Sequence, residues 1–246
     1  LEIGWDNRLA AHYFRDILAE FQPDRVHYFH LHRLGTGLIV EAENAGVPQS
    51  LTPTDFWAFC PTSQLRLPDG RTCDGPSRYA GNCAQHFAQN KAIPIRLQAS
   101  IQRLPTFLAD GAVQTARLLR LRGPGYIREL TALGEFLPKT ISRLNKIQKI
   151  LAPNLFMRDK LIAYGVDPRR VLEVSYGIDL PSGLIPTKVR RSSSPLRIGF
   201  IGTLAPHKGA HVLMDSFARL PAGKATLHIY GAGQAFPDYL ALLRNT

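Results

Sequence analysis

Apolar side chains recur every four residues at Leu9, Tyr13, Ile17 and Phe21, a spacing that puts them on one stripe of a helix, and Pro23 stops that helix. The apolar run 26–29 then reads as a short strand. Gly35 and Gly37 open a second apolar stretch, 38–45, which Gly46 closes, and residues 47–52 read as another strand. Strands alternating with helices predict a parallel sheet covered on both faces, because a parallel pair needs a crossover that is usually a helix.

Across 96–149 the pattern becomes helical and basic, broken once at Gly123, Pro124 and Gly125. Leu118, Leu119 and Leu121 alternate there with Arg117, Arg120 and Arg122. Either this is a surface-binding helix, or the leucines pack and the arginine stems stay exposed; packing is the reading we favour. Strand and helix alternate again through 150–152, a helix containing Leu161 and Tyr164 that Gly165 ends, and a strand over 171–175. Residues 181–195 hold three prolines, Gly183, Ser192 to Ser194 and the basic cluster Lys188, Arg190 and Arg191. Too few apolar groups remain there to build a core, so the segment reads as a linker between domains spanning 1–180 and 196–246.

The second domain opens with an apolar strand over 196–201 that Gly202 ends. After a loop, Ala210, Leu213, Met214 and Phe217 recur at i, i+3, i+4 and i+7, which defines an amphipathic helix. Residues 225–230 form the next strand, ended by Gly231 and Gly233. The loop after the first strand therefore lies at the carboxyl end of the sheet, where open α/β sheets bind ligands. A helix N-terminus attracts phosphate through its unpaired N–H groups and partial positive charge, and Lys208 adds a full charge beside it. Gly202 and Gly209 remove Cβ atoms where a ligand must approach the backbone. The alternative is that both glycines only make the turn and Lys208 points to water. Two other phosphate motifs are excluded by order and spacing. A P-loop needs Gly-Lys followed by Ser or Thr, and here the order is Lys208-Gly209; Gly199, Gly202 and Gly209 do not make a dinucleotide G-x-G-x-x-G.

Composition narrows the class. With 246 residues, 45% hydrophobic and 20% charged, the chain is globular and long enough for two small domains. No apolar run approaches a membrane span and no secretory leader is visible, which predicts a cytoplasmic location. Leu1 in first place and an end at Thr246 within a helical pattern lead us to expect a fragment lacking both termini. The net charge of +11 is concentrated: residues 91–160 carry 13 basic and 4 acidic side chains, against 7 and 10 in residues 1–90. Either this stretch meets an anionic partner, or it is a solvated helix face. Nucleic acid is the weakest such partner, since stacking aromatics are not interleaved with the charges.

The run Ile198-Gly199-Phe200-Ile201-Gly202-Thr203-Leu204, then His207-Lys208-Gly209, the helix after it and the stretch 227–233, resembles the donor-side signature of the family 4 retaining glycosyltransferases. Leu151-Ala152-Pro153 to Lys160 and Val174-Ser175-Tyr176-Gly177-Ile178-Asp179 are similar to that family's passage from the first domain to the hinge. The resemblance implies a GT-B fold, two Rossmann-like domains with parallel sheets, the second truncated here. It implies transfer of a sugar from a nucleotide-diphosphate donor to an acceptor hydroxyl with retention, in glycan or cell-envelope polysaccharide synthesis. Gly202, Thr203, Gly209, Gly231 and Gly233 would then line the donor, and Lys208 would stabilise the diphosphate leaving group. No organic cofactor is implied. A lipid-linked acceptor would place the enzyme peripherally at the inner face of a membrane, with the basic stretch on its anionic surface. Two departures stand out. Thr203 replaces an arginine frequent in the family, and the family's paired glutamates lie beyond Thr246, so this stretch alone is expected to be inactive. A non-catalytic sugar-nucleotide or glycan-binding module is the competing reading.

Thr54-Asp55-Phe56-Trp57 followed by Cys60-Pro61 resembles a family segment written His-Asp-Tyr-Trp, two residues, Cys-Pro. Thr54 stands in the histidine's place, which leaves Asp55 as the catalytic candidate, either orienting an acceptor hydroxyl or stabilising charge on the sugar, or else serving only as a capping residue. His30 and His32 follow the first strand and are candidate acceptor contacts, or packed histidines. Cys60, Cys73, Cys83 and His86 fall within an insertion spanning 55–90 and form a donor set suited to structural zinc. Reduced buried thiols and a disulfide are the alternatives. Related sequences often carry a fourth cysteine at the place of His86, an exchange that preserves metal ligation and breaks a disulfide.

Overall fold

A computed structural model of the chain describes residues 2–67, 69–87, 95–119, 125–177 and 195–245. The chain divides into two compact units, Leu1–Gly177 and Ile178–Thr246. The linker expected at 181–195 lies outside the described residues apart from Pro195, as do the predicted break at Gly123 and Pro124 and the alternating Arg120, Leu121 and Arg122.

Unit 1 begins with a short helix α1 (Glu2–Trp5) and α2 (Arg8–Phe21). Asn7 caps α2 by accepting the Ala10 N–H, and Gln22 ends it in the left-handed region at φ 48° just before Pro23. Strand β1 (Val26–Tyr28), helix α3 (Gly37–Asn44) and strand β2 (Gln49–Leu51) follow. The chain then leaves the sheet for nearly one hundred residues. It runs through an irregular stretch held by one antiparallel bridge, Arg66 to Thr72, and then α4 (Gly81–Phe87), α5 (Ile95–Arg103), α6 (Thr106–Leu118) and α7 (Gly125–Leu144). It returns as β3 (Lys149–Ala152), α8 (Leu155–Ala163), a 3-10 turn at Pro168–Arg170 and β4 (Val171–Glu173). The four strands are parallel in the order β1-β2-β3-β4, with Leu51 paired to Ile150 and Ile150 to Val171. β1, β2 and β4 are one to three residues shorter than the apolar runs that predict them, because the ladder stops where the chain turns off the sheet, while β3 begins one residue earlier than its run, at Lys149.

The core of unit 1 packs Leu51, Ile150 and Ala152 of the sheet against Ile39, Leu144, Ile147 and Leu161. Two of its polar side chains satisfy each other: the Tyr28 hydroxyl donates to Gln49 Oε1 at 2.9 Å, and Gln49 Nε2 donates to the Ile39 carbonyl. The stripe on α2 departs from the usual reading of such a pattern. Leu9, Tyr13, Ile17 and Phe21 are 55 to 75% exposed, and the helix instead buries Ala11 and Leu18, with Ala10 and Phe14 packed against the core. Two alanines allow α2 to lie close against α3, so the smaller face is the inner one. Leu118 and Leu119 are exposed as well, so the two leucines of the Leu–Arg alternation that the structure describes do not pack, contrary to the favoured reading.

Asp110 of α6 fixes the irregular stretch from one side. Its Oδ1 accepts from Ser77 Oγ at 2.7 Å, Gly81 N at 2.7 Å and Tyr79 N at 3.2 Å. A Cβ on Gly81 would sit 2.2 Å from the Asp110 nitrogen, so close an approach that only glycine fits.

Unit 2 contains β5 (Leu196–Ile201), a 3-10 turn at Pro206–Lys208, α9 (Ala210–Phe217), β6 (Ala225–Tyr230) and α10 (Pro237–Asn245). β5 and β6 are parallel, with Ile198 opposite Leu227, as the sequence pattern predicts. Leu204, Ala210, Tyr239 and Leu243 form its buried cluster. Among the described residues, no helix is long and apolar enough to cross a membrane.

Candidate functional site

The β1–α3 connection carries His30 and His32 away from the carboxyl end of the sheet. It is stitched to α1 by hydrogen bonds from Arg33 N to the Gly4 carbonyl at 2.7 Å and from Thr36 N to the Trp5 carbonyl at 2.8 Å. A Cβ on Gly35 would lie 2.5 Å from the Asn7 nitrogen, so this close approach requires glycine. The turn after β2 brings Asp55 to the same edge. His30 Nε2 donates to Asp55 Oδ2 at 2.7 Å, while Asp55 Oδ1 accepts the Trp57 N–H at 2.9 Å. The capping reading of Asp55 therefore describes a real contact, and its other oxygen holds His30, a partner that the sequence did not indicate. The His30 ring also meets His32 at 5.9 Å and Trp57 at 6.5 Å. Burial, with the charges of His30 and Arg33, holds the His32 imidazole below its ordinary pKa, and Asp55 opposes that shift. Thr54 turns its hydroxyl to the Phe29 carbonyl at 3.4 Å.

Beside this pair is a cavity of about 420 Å³ whose wall includes Trp5, Trp57, Phe136, His32 and Arg33. Sequence reading passed over these residues, apart from His32. One signal was available: Trp5 and Trp57 are the two tryptophans of the chain, and Trp57 stands in the quoted segment with Asp55.

In unit 2 the loop after β5 is held at its start. Gly202 N donates to the Tyr230 carbonyl at 3.0 Å and Leu204 N to the Ala232 carbonyl at 2.8 Å. Gly209 closes the 3-10 turn in the left-handed region, at φ +74°, and caps α9 without any side-chain hydrogen bond. Nothing occupies the space a Cβ on Gly209 would take. Lys208 is exposed, and among the described residues it makes no ion pair. In the first turn of α9 the His211 N–H is already engaged, donating to the Tyr239 hydroxyl at 3.1 Å. Gly231 lies against Gly202: a Cβ at 231 would be 1.8 Å from the Gly202 carbonyl oxygen. Gly233 has a structural reason too, with Leu240 Cδ1 at 3.0 Å from its would-be Cβ, whereas Gly202 itself has room for a methyl group. Thr203 is exposed beside it.

Cys60, Cys73, Cys83 and His86 line one pocket of about 160 Å³, with all three cysteines free. Cys83 and His86 lie one turn apart on α4, and the Gly75 N–H points at the Cys73 sulfur at 3.4 Å. Gly75, at φ +109°, cannot be replaced there, because its Cβ would strike the Tyr164 hydroxyl. Burial pushes the Cys83 thiol far up, and Cys60 and Cys73 add to the effect, so the thiol is protonated at neutral pH. The donor types suit zinc, but among the described residues no three of them already stand where one ion could be shared.

Set beside known proteins, the chain matches no protein-family model and no curated protein.

Proposed function

We propose that the chain is part of a nucleotide-sugar-dependent glycosyltransferase of the family 4, GT-B type, with the donor on unit 2 and the acceptor on unit 1. The observation that carries this reading is the β5–α9 loop. It presents an exposed Lys208, unpaired among the described residues, at a helix start whose Gly209 cap leaves open space, as a site for a diphosphate requires. The loop is anchored to the neighbouring strand at Tyr230 and Ala232, so Lys208 extends from a fixed base.

In the proposed reaction the acceptor hydroxyl oxygen bonds to the anomeric carbon as the bond from that carbon to the donor phosphate breaks. The nucleoside diphosphate leaves with the electron pair. Lys208 meets the charge that grows on it, an interaction stronger in the transition state than in the ground state. With Thr203 in place of arginine, more of that stabilisation falls to Lys208. In this proposal Asp55, which His30 holds, orients the acceptor hydroxyl and takes its proton. Retention of configuration rests on the resemblance alone. The proposal extends to a glycan or lipid-linked acceptor in polysaccharide synthesis, and to a cytoplasmic enzyme that meets an anionic membrane surface through the basic segment.

Replacing Lys208 by Ala tests the reading. Transfer should fall about 100-fold or more at saturating donor, the scale of losing one preorganised charge contact. Both measurements are made on the complete enzyme, paired glutamates included, and donor binding there without any turnover before substitution would favour the sugar-nucleotide-binding module instead.

A further inference from the structure

Helix α6 is apolar on both sides. Ala109, Val113 and Ala116, spaced i, i+4 and i+7, are buried, and the helix packs there against α4 and α7. Its outer side is the unusual one. The exposed positions from 107 to 119 all fall on the opposite arc, roughly 140° wide at about 100° per residue, and none of them is charged. Four are large and apolar: Phe107, Leu108, Leu118 and Leu119 are 49 to 71% exposed, with only small side chains such as Ala112 and Thr115 between them. The strip they form is about 18 Å long at ~1.5 Å per residue. A surface helix ordinarily turns charged or polar residues outward; one that is apolar on both sides needs a second apolar medium beyond it.

The charges around the strip say what that medium is. Residues 91–122 hold six basic side chains, Lys91, Arg96, Arg103, Arg117, Arg120 and Arg122, against one acidic, Asp110. Asp110 is turned away from the strip, its Oδ1 taken by Ser77, Tyr79 and Gly81 of the irregular stretch. Arg103 is exposed just before α6, and Arg117 stands in its last turn, donating to Gln114 Oε1 at 3.4 Å. An apolar strip bordered by guanidinium groups, with the segment's one carboxylate turned away, matches the boundary of an anionic bilayer: acyl chains take the strip and headgroup phosphates pair with the arginines. The exposed stripe on α2 shows the contrast. Charges of both signs run beside it, Arg8 and His12 and then Asp16 and Glu20, so an anionic surface has no preference for that helix.

We infer that the outer face of α6 lies in the headgroup boundary of an anionic membrane, with Phe107, Leu108, Leu118 and Leu119 among the acyl chains and Arg103 and Arg117 on the phosphates. This gives a specific face to the membrane contact proposed above. Making that membrane the place of an acceptor rests on the transferase reading; binding to lipid does not.

The complete protein is sedimented with vesicles of phosphatidylcholine alone and of phosphatidylcholine mixed with phosphatidylglycerol. Binding to the anionic vesicles should be about tenfold tighter or more, and should weaken as salt rises. Phe107→Ser combined with Leu118→Ser should weaken it about tenfold or more and leave the melting temperature unchanged, since both side chains are exposed. Arg103→Gln combined with Arg117→Gln should cut the preference for anionic vesicles about tenfold. Ile17→Ser combined with Phe21→Ser, on the α2 stripe, should change nothing. Phe107→Trp adds a direct reading: its emission should shift to the blue on anionic vesicles, as an indole does on leaving water. Folded protein that ignores anionic vesicles overturns the proposal, as does equal binding to both kinds, or an α2 variant that weakens binding as much as the α6 variant does. Self-association that the α6 variant abolishes, in a protein that binds no vesicles, would make the face a protein interface and overturn it too. Vesicle binding in a protein that transfers no sugar would sink the transferase reading and leave this face standing. Sugar transfer to a soluble acceptor by a protein that ignores vesicles would do the reverse.

Discussion

Asp55 holds His30 through one carboxylate oxygen at 2.7 Å and caps the Trp57 N–H with the other at 2.9 Å, so a single side chain joins the ends of β1 and β2. The two roles separate on substitution. Asp55→Asn keeps an oxygen for the Trp57 cap and loses the charge. Turnover should fall about 100-fold, in the range of general-base loss, with the melting temperature nearly unchanged. A variant with full turnover would reduce Asp55 to its capping role; a large fall in melting temperature would show that the charge mainly supports the fold.

Gly231→Ala tests whether the glycines of unit 2 are there for the backbone or for a ligand. Its added methyl would lie 1.8 Å from the Gly202 carbonyl oxygen, so the loop must shift. A loss of about 2 kcal/mol or more is expected by chemical denaturation, in the range of overpacking penalties. Gly202→Ala, with its nearest neighbour atoms at 3.6 Å, should cost far less stability and act instead on donor affinity.

The thiol pocket leads to a prediction about metal content. Three sulfurs and an imidazole around one small pocket, with a lone thiolate at Cys83 disfavoured by burial, are proposed to gather around one zinc. Protein purified under reducing conditions should carry about one zinc per chain, and Cys83→Ser should lose it. Metal-free protein of unchanged melting temperature would leave three reduced thiols as the description.

His32 sets a pH dependence. Its folded pKa lies below its ordinary value, so at pH values just under 6.5 the unfolded chain takes up a proton that the folded chain refuses. Its contribution to stability is full above that range and is lost as pH falls towards the folded pKa. Melting curves from pH 7.5 to 5 should show less of this decline in His32→Gln; identical slopes in both proteins would contradict it.

Much of this was legible in the sequence because it is local. Pro23, Gly46 and Gly165 punctuate helices at the positions expected, and Ala210 to Phe217 keep helical phase. What was not legible depends on partners far along the chain. The need for glycine at 231 comes from a carbonyl at 202, and the order of residues 77–81 comes from Asp110. The stripe on α2 misled because periodicity fixes which residues share a face but not which face turns inward; Ala11 and Leu18 won that place through close packing with α3. The cavity between Trp5 and Trp57 is assembled from residues fifty positions apart, and no spacing rule connects them.

The central claim is sugar transfer from a nucleotide-diphosphate donor, and a donor screen on the complete protein, paired glutamates included, tests it most directly, reading nucleoside diphosphate release and the anomeric configuration of the product together. The expected result is release with one donor class, dependent on acceptor, abolished with Lys208→Ala and giving a product with the donor's anomeric configuration. Tight donor binding with no diphosphate released from any donor, or an inverted product, would contradict it.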